Sequence, residues 1–188
     1  MALSLLITQC LQRDFVEPIS PYEPLPNALH VGHAEARRLI GLSPEHGPVA
    51  QLMAWARSQE ADSLQILHIR DWHTEGADSH FERFGAHCLR GSKGAQLLVE
   101  PLGPAERVVD STSLNDFVDT PLGPMLDELK KQAGPEGLRI GVVGVWTEAK
   151  VSYLLYDLLT RGYATELATC SALVASASRS QHFNALSQ

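Results

Sequence analysis

Cysteine is scarce and scattered: Cys10, Cys88 and Cys170 form no Cys-x-x-Cys pair, which excludes a disulfide framework and a cysteine-rich zinc site and points to a reducing, cytoplasmic setting. No long hydrophobic run is present. The opening stretch MALSLLITQCLQRDF lacks a basic leader and meets Arg13 and Asp14 too soon to span a bilayer, so it is expected to be a strand. Positive charge is in deficit, with 15 Lys plus Arg against 22 Asp plus Glu and a formal charge of −7. That excludes the basic face that nucleic acid or an anionic membrane would need. Repeats and low-complexity tracts are also missing. What is present, 44% hydrophobic and 20% charged residues, suffices for one well-packed domain over residues 1–188. A helical pattern still running at Gln188 hints at a domain cut from a longer protein.

Short apolar or β-rich runs at 4–9, 63–69, 107–110, 138–145 and 163–169 read as strands. Between them, HAEARRLIG, GPVAQLMAWARSQ, TPLGPMLDELKKQAG and EAKVSYLLYDLLTRG carry apolar residues at helical spacing, and a last such pattern begins at Ser180. Alternation of this kind predicts an α/β fold, a three-layer sandwich with a parallel sheet flanked by helices, because parallel neighbours need a crossover. Ligands then collect at the carboxyl ends of the strands. The proline-rich VEPISPYEPLPNALHVG is expected to be a surface excursion.

The densest chemistry lies in RDWHTEGADSHFERFGAHCLRG, directly after the second strand. Asp71 and His73, two apart, point the same way if the segment is extended; His80 and His87 follow on what is expected to be loop. One carboxylate and three imidazoles form an ordinary ligand set for zinc, iron or manganese. Spacing alone leaves open that they are polar loop residues, since the chain has eight histidines.

Taken in order, CLQRDF, then RDWH with DSHF and AHC, then GVWTEAKV with LLTRGY resemble the isochorismatase-like cysteine hydrolases, and the histidine stretch is most similar to their nicotinamidase branch. The resemblance covers nearly the whole chain. It implies a parallel sheet between helices, a catalytic Asp, Lys and Cys acting on an amide carbonyl, and a metal held at the positions of Asp71, His73, His80 and His87. It also exposes three departures. The family's base falls on Cys10, its lysine, six residues before a phenylalanine, falls on Ser111 ahead of Phe117, and its nucleophile, three residues after the Thr of the GVxT motif, falls on Lys150.

Relatives use that helix start because its N–H groups receive an oxyanion and lower a thiol's pKa; a lysine gains neither. Trp146 stands where relatives carry a small residue, beside a peptide bond that is often cis in the family. Phe15, Trp72 and Trp146 are the candidate lining of a substrate pocket, with core packing the alternative for Phe15 and Trp72. Three functions stay open: a pseudoenzyme that binds a ligand or partner, a rewired hydrolase of C–N bonds using Cys10 and Lys150, and a hydrolase using metal-activated water on the Asp71/His cluster. If Lys150 faces Cys10, its cation should draw the thiol below its free value of about 8.5. The bland readings are a buried Cys10, a Ser111 that merely ends a strand, a Lys150 that snorkels to solvent, and structural roles for His68 and His182. Expected partners are a small-molecule ligand and either a second copy of the chain or the remainder of a longer protein, with no organic cofactor.

Overall fold

The computed structural model describes residues 3–43, 45–76, 80–103 and 105–176, His80 by its backbone only. The helical pattern beginning at Ser180, and His182 with it, lie outside the described residues. In chain order the elements are β1 (Leu3–Gln9), α1 (Arg13–Val16), α2 (His33–Ile40), α3 (Pro48–Arg57), β2 (Leu64–Asp71), α4 (His80–Phe84), β3 (Glu106–Ser111), α5 (Leu122–Ala133), β4 (Leu138–Val145), α6 (Ser152–Thr160) and β5 (Glu166–Ala175). A single π-helical turn, Thr147–Val151, joins β4 to α6. Among the described residues no helix is long and apolar enough to cross a membrane.

All five strands are parallel, in the order β3-β2-β1-β4-β5. β1 and β4 lie in the middle and are buried on both faces, which is why LSLLITQ and LRIGVVGV read as nearly unbroken apolar runs. Successive residues alternate between faces. Leu6, Ile66 and Val143 meet a layer containing Phe15, Leu39 and Met53 from α1, α2 and α3. On the other face Leu5, Ile7, Leu67, Val109 and Val142 meet Leu122, Leu126 and Leu129 of α5 and Leu154 and Leu158 of α6. The i, i+4, i+7 spacing in α5 and the i, i+4 pair in α6 are what turn those helices onto the sheet. Each such side chain contributes on the order of 1.5–3 kcal/mol when fully buried.

Register sets the strand ends side by side: Asp71 pairs with Ser111, and Gln9 with both Ile69 and Gly144. Gly144 has φ +121, and a Cβ there would lie 2.0 Å from the Gln9 carbonyl oxygen, so only glycine lets the end of β4 approach β1. One residue further on, the Val145–Trp146 peptide bond is cis.

Three local readings are corrected. α1 and α4 are helices of four and five residues, too short for a period to reveal them, and His80 opens α4 rather than lying in loop. β5 runs on to Ala175, past the predicted strand. Lys150 lies not in an α-helical first turn but in the π turn, between Trp146 and α6.

Candidate functional site

Asp71 ends β2, and Gln12 holds its backbone. The Gln12 amide donates to the Asp71 carbonyl at 2.7 Å and to the Ala95 carbonyl at 3.0 Å, and its Oε1 accepts from the Asp71 N–H at 2.7 Å. The carboxylate that projects from this fixed point divides its two oxygens. Oδ1 accepts from the Lys150 ammonium and lies 3.6 Å from the Cys10 sulfur. Oδ2 faces Nε2 of His73 at 3.7 Å and Nε2 of His87 at 3.9 Å. Lys150 Nζ donates further to Asp116 Oδ1 at 3.0 Å and to Ser111 Oγ at 3.4 Å. Its side chain is 1% exposed. Cys10, Ser111 and Lys150 therefore all gather at the carboxyl ends of their strands, around a carboxylate expected only as a metal ligand.

Charge in this buried group is set by competition between desolvation and pairing. Burial pushes the Asp71 carboxyl up, but Lys150, then His73 and His87, outweigh it and hold Asp71 below the usual carboxylate range. Burial pushes the Lys150 amine down, yet Asp116 and Asp71 together raise it well above an ordinary lysine. Asp116 is raised, because burial exceeds what Lys150 returns to it. One ammonium serves two carboxylates, and Asp71, which also faces His73 and His87, is the one held low. The expected lowering of the Cys10 thiol is corrected: burial and the neighbouring Asp71 charge raise it well above the free value, and Lys150, committed to carboxylates, offsets only part.

Asp71, His73 and His87 each offer a ligand atom, all within 4.8 Å of one another. Two metal bonds of about 2.1 Å at a tetrahedral angle put ligand atoms about 3.4 Å apart, and the observed 3.7 and 3.9 Å to Oδ2 are near that and too long for hydrogen bonds. His87 Nδ1 lies 2.7 Å from the Gly85 carbonyl, which can only accept, so Nδ1 carries the proton and the neutral ring turns the Nε2 lone pair toward Asp71. The donor set and tautomer fit a divalent metal. Phe81 packs edge-on against both imidazoles, at 5.2 and 5.5 Å. The side chain of His80 lies outside the described residues. Asp14 braces the segment by accepting from the Cys88 N–H at 2.7 Å, and Gly94 makes room for it: a Cβ there would come within 2.2 Å of the carboxylate.

Of the proposed lining residues, Phe15 and Trp146 are core. Trp146 is 1% exposed, donates Nε1–H to the Leu29 carbonyl at 2.7 Å, and meets Phe15 edge-on at 4.4 Å. Phe15 in turn reaches the His87 ring at 5.5 Å, so this pair backs the candidate metal site. Trp72 is half-buried under the Arg70 guanidinium, 3.7 Å from its ring centroid.

Asp116 and Gln12 are the functional residues that sequence reasoning misses. Asp116 lies within DSTSLNDF, and its signal is turn chemistry. Ser111, Ser113 and Asn115 side chains accept in turn from the backbone N–H groups of Ser113, Asn115 and Phe117 at 3.4, 3.2 and 2.9 Å. These turns curl the segment back until Asp116 meets Lys150.

Comparison with known proteins gives one consistent result. Residues 45–188 match the isochorismatase domain family. An isochorismatase-like hydrolase from Alkaliphilus metalliredigens superposes with a TM-score of 0.72 at 24% identity, over 99% of this chain and 90% of that one. The pyrazinamidase of Pyrococcus horikoshii in complex with zinc gives 0.67 at 22%, over 98% and 92%. A nicotinamidase from Bacillus subtilis gives 0.69 at 20%, over 98% and 93%. No curated protein sequence matches the chain.

Proposed function

The chain belongs to the isochorismatase family, and from that premise we propose that it is a member without the amide-hydrolysing machinery, keeping a metal-holding pocket that binds a small molecule. One observation carries this: the Lys150 ammonium, which the resemblance puts where the family keeps its nucleophile, is buried and engaged by Asp71, Asp116 and Ser111. A protonated amine has no lone pair with which to attack a carbonyl. Cys10, its thiol raised by burial and by Asp71, supplies no thiolate near neutral pH. Asp71, held ionised by Lys150, is a weak base toward that thiol.

Asp71, His73 and His87, with His80 as the proposed fourth ligand, would hold zinc, iron or manganese; the zinc bound in the Pyrococcus horikoshii pyrazinamidase complex supports zinc first. When bound, the ion supplies a Lewis-acidic contact for a ring nitrogen or carboxylate of the ligand. The chain's own residues do the rest: Gln12 and Lys150 orient Asp71, the Gly85 carbonyl fixes the His87 tautomer, and Phe15 and Phe81 keep the imidazoles in an apolar surround.

The test is ammonia release from nicotinamide and simple amides by protein loaded with each metal. The expected result is none above buffer, since losing a catalytic set costs on the order of 10⁶-fold. Protein grown with the three metals should carry near-stoichiometric metal that His73→Ala removes. Release abolished by Cys10→Ala would instead establish the rewired thiol enzyme. Release that survives Cys10→Ala but not His73→Ala would establish metal-activated water.

A further inference from the structure

Asp71 faces two ways. Its Oδ1 accepts from the Lys150 ammonium, and its Oδ2 faces Nε2 of His73 at 3.7 Å and Nε2 of His87 at 3.9 Å. The carboxylate that would hold the ion is therefore already engaged by a cation of the chain. Among the described residues Lys150 is the only lysine or arginine that is buried. Groups that hold a metal ligand in place are ordinarily acceptors, and they leave the ligand more electron density to give. A cation does the reverse. It draws on the charge of the carboxylate, and it repels a divalent ion held on the other oxygen. At a site as buried as this one, salt and water screen that repulsion poorly.

The anchors of the three ligands lie within the chain. Gln12 brackets the Asp71 backbone, donating to its carbonyl and accepting from its N–H, both at 2.7 Å. Cys88, which follows His87 directly, gives its N–H to Asp14 at 2.7 Å, and its carbonyl accepts from the His73 N–H at 3.1 Å. The His73 carbonyl accepts in turn from the Arg90 N–H at 2.8 Å. None of these bonds involves Asp71 Oδ2 or an Nε2 atom. Lys150 has a second anchor of its own, Asp116 at 3.0 Å, which keeps the ammonium at the site when Asp71 is shared.

We propose that Lys150 is a built-in counter-cation that competes with the metal for Asp71, so that the ion is taken up and released reversibly by a chain that stays folded. The inference rests on the metal reading given above and adds the regulation of that site. Asp116 sets how firmly Lys150 leans on Asp71, and through it the affinity for the ion. A site built around a permanent ion would set a neutral donor, not an ammonium, against the carboxylate it uses.

Zinc titrations against a chromophoric chelator decide the matter. Parent protein stripped with a chelator should keep its circular dichroism, take up zinc when it is returned, and release it again. Lys150→Met should bind zinc about tenfold more tightly or better. Lys150→Met/Asp116→Asn should keep part of that gain, which separates loss of the ammonium from recruitment of Asp116 as a new ligand. Asp116→Asn alone should act in the opposite sense and weaken zinc, because Lys150 then relies on Asp71. That variant keeps the buried Lys150–Asp71 pair, and it carries the test if Lys150→Met does not fold. Equal or weaker zinc binding in a folded Lys150→Met, a double variant no tighter than the parent, unchanged or tighter binding in Asp116→Asn, or unfolding of the stripped parent would each overturn the proposal. Zinc that His73→Ala removes but that parent and Lys150→Met bind equally sinks this inference alone. Zinc bound by no variant, or indifferent to His73→Ala, overturns the metal site and the inference together.

Discussion

A buried charge is tolerated only with its partner, and Lys150 has two. Replacing it with Met removes the ammonium and leaves Asp71 and Asp116 desolvated side by side, each 2% exposed. Lys150→Met should cost about 3–5 kcal/mol, read as a lower urea midpoint, and adding Asp116→Asn should recover part of the loss. The pH dependence has a definite sign. Because the folded-state pKa of Lys150 is raised, its contribution is complete below the unfolded lysine value of about 10.4 and is lost as pH rises above it. Urea midpoints above about pH 10.4 should fall more steeply in the parent than in Lys150→Met. The cysteines divide by burial rather than by chemistry. Cys170 is exposed, whereas Cys10 and Cys88 are buried with thiols raised first by that burial and then by Asp71. Iodoacetamide near pH 8 should modify one thiol quickly and the other two only after unfolding; a fast-reacting Cys10 in the folded protein would contradict this assignment.

At the scale of elements, the amino-terminal half of the sheet is tied by a buried polar chain. His68 of β2 lies 3.1 Å from the Glu106 carboxylate of β3, so its Nε2 carries the proton and its Nδ1 accepts from Thr8 of β1 at 2.7 Å. Arg57 of α3 closes the chain on both Glu106 oxygens, at 2.7 and 2.8 Å. Burial would push the Glu106 carboxyl up, but Arg57 and then His68 outweigh it and bring it down to about 2. A depressed carboxylate adds stability that is present above the unfolded value of about 4.3 and lost as pH falls toward 2. Glu106→Gln should therefore lower stability near neutral pH by roughly 2–3 kcal/mol. It should also flatten the acid limb of a denaturation series run between pH 5 and 2.

For the whole molecule, the two apolar layers share one sheet, so neither has a folded state of its own. Leu126 belongs to the layer under α5, and Trp146 to the opposite one. Leu126→Ala should cost about 2–5 kcal/mol and shift the Trp146 fluorescence transition across the sheet by the same amount as the helical circular-dichroism transition. Two separated midpoints would show the layers unfolding independently.

Strands, helices and layer order are legible in the chain because periodicity is local. Whether Leu6 faces α3, or Leu5 faces α5, follows from a two-residue alternation that needs no knowledge of the rest of the fold. The order of Asp71, His73 and His87, and the positions of Cys10, Ser111 and Lys150, are legible for the same reason: spacing along the chain survives in the sequence. What those residues touch does not. Lys150 reaches Asp71 across 79 positions and Asp116 across 34, and Gln12 reaches Asp71 across 59. These distances are closed by strand register, by the serine and asparagine turns after Ser111, and by the π turn before α6. Whether Lys150 paired with the Cys10 thiol or with two carboxylates, and hence whether that thiol was lowered or raised, was decided only by the tertiary structure. The reason is physical: the charge state of a buried group depends on the few ångströms around it, and those ångströms are filled by parts of the chain far apart in sequence.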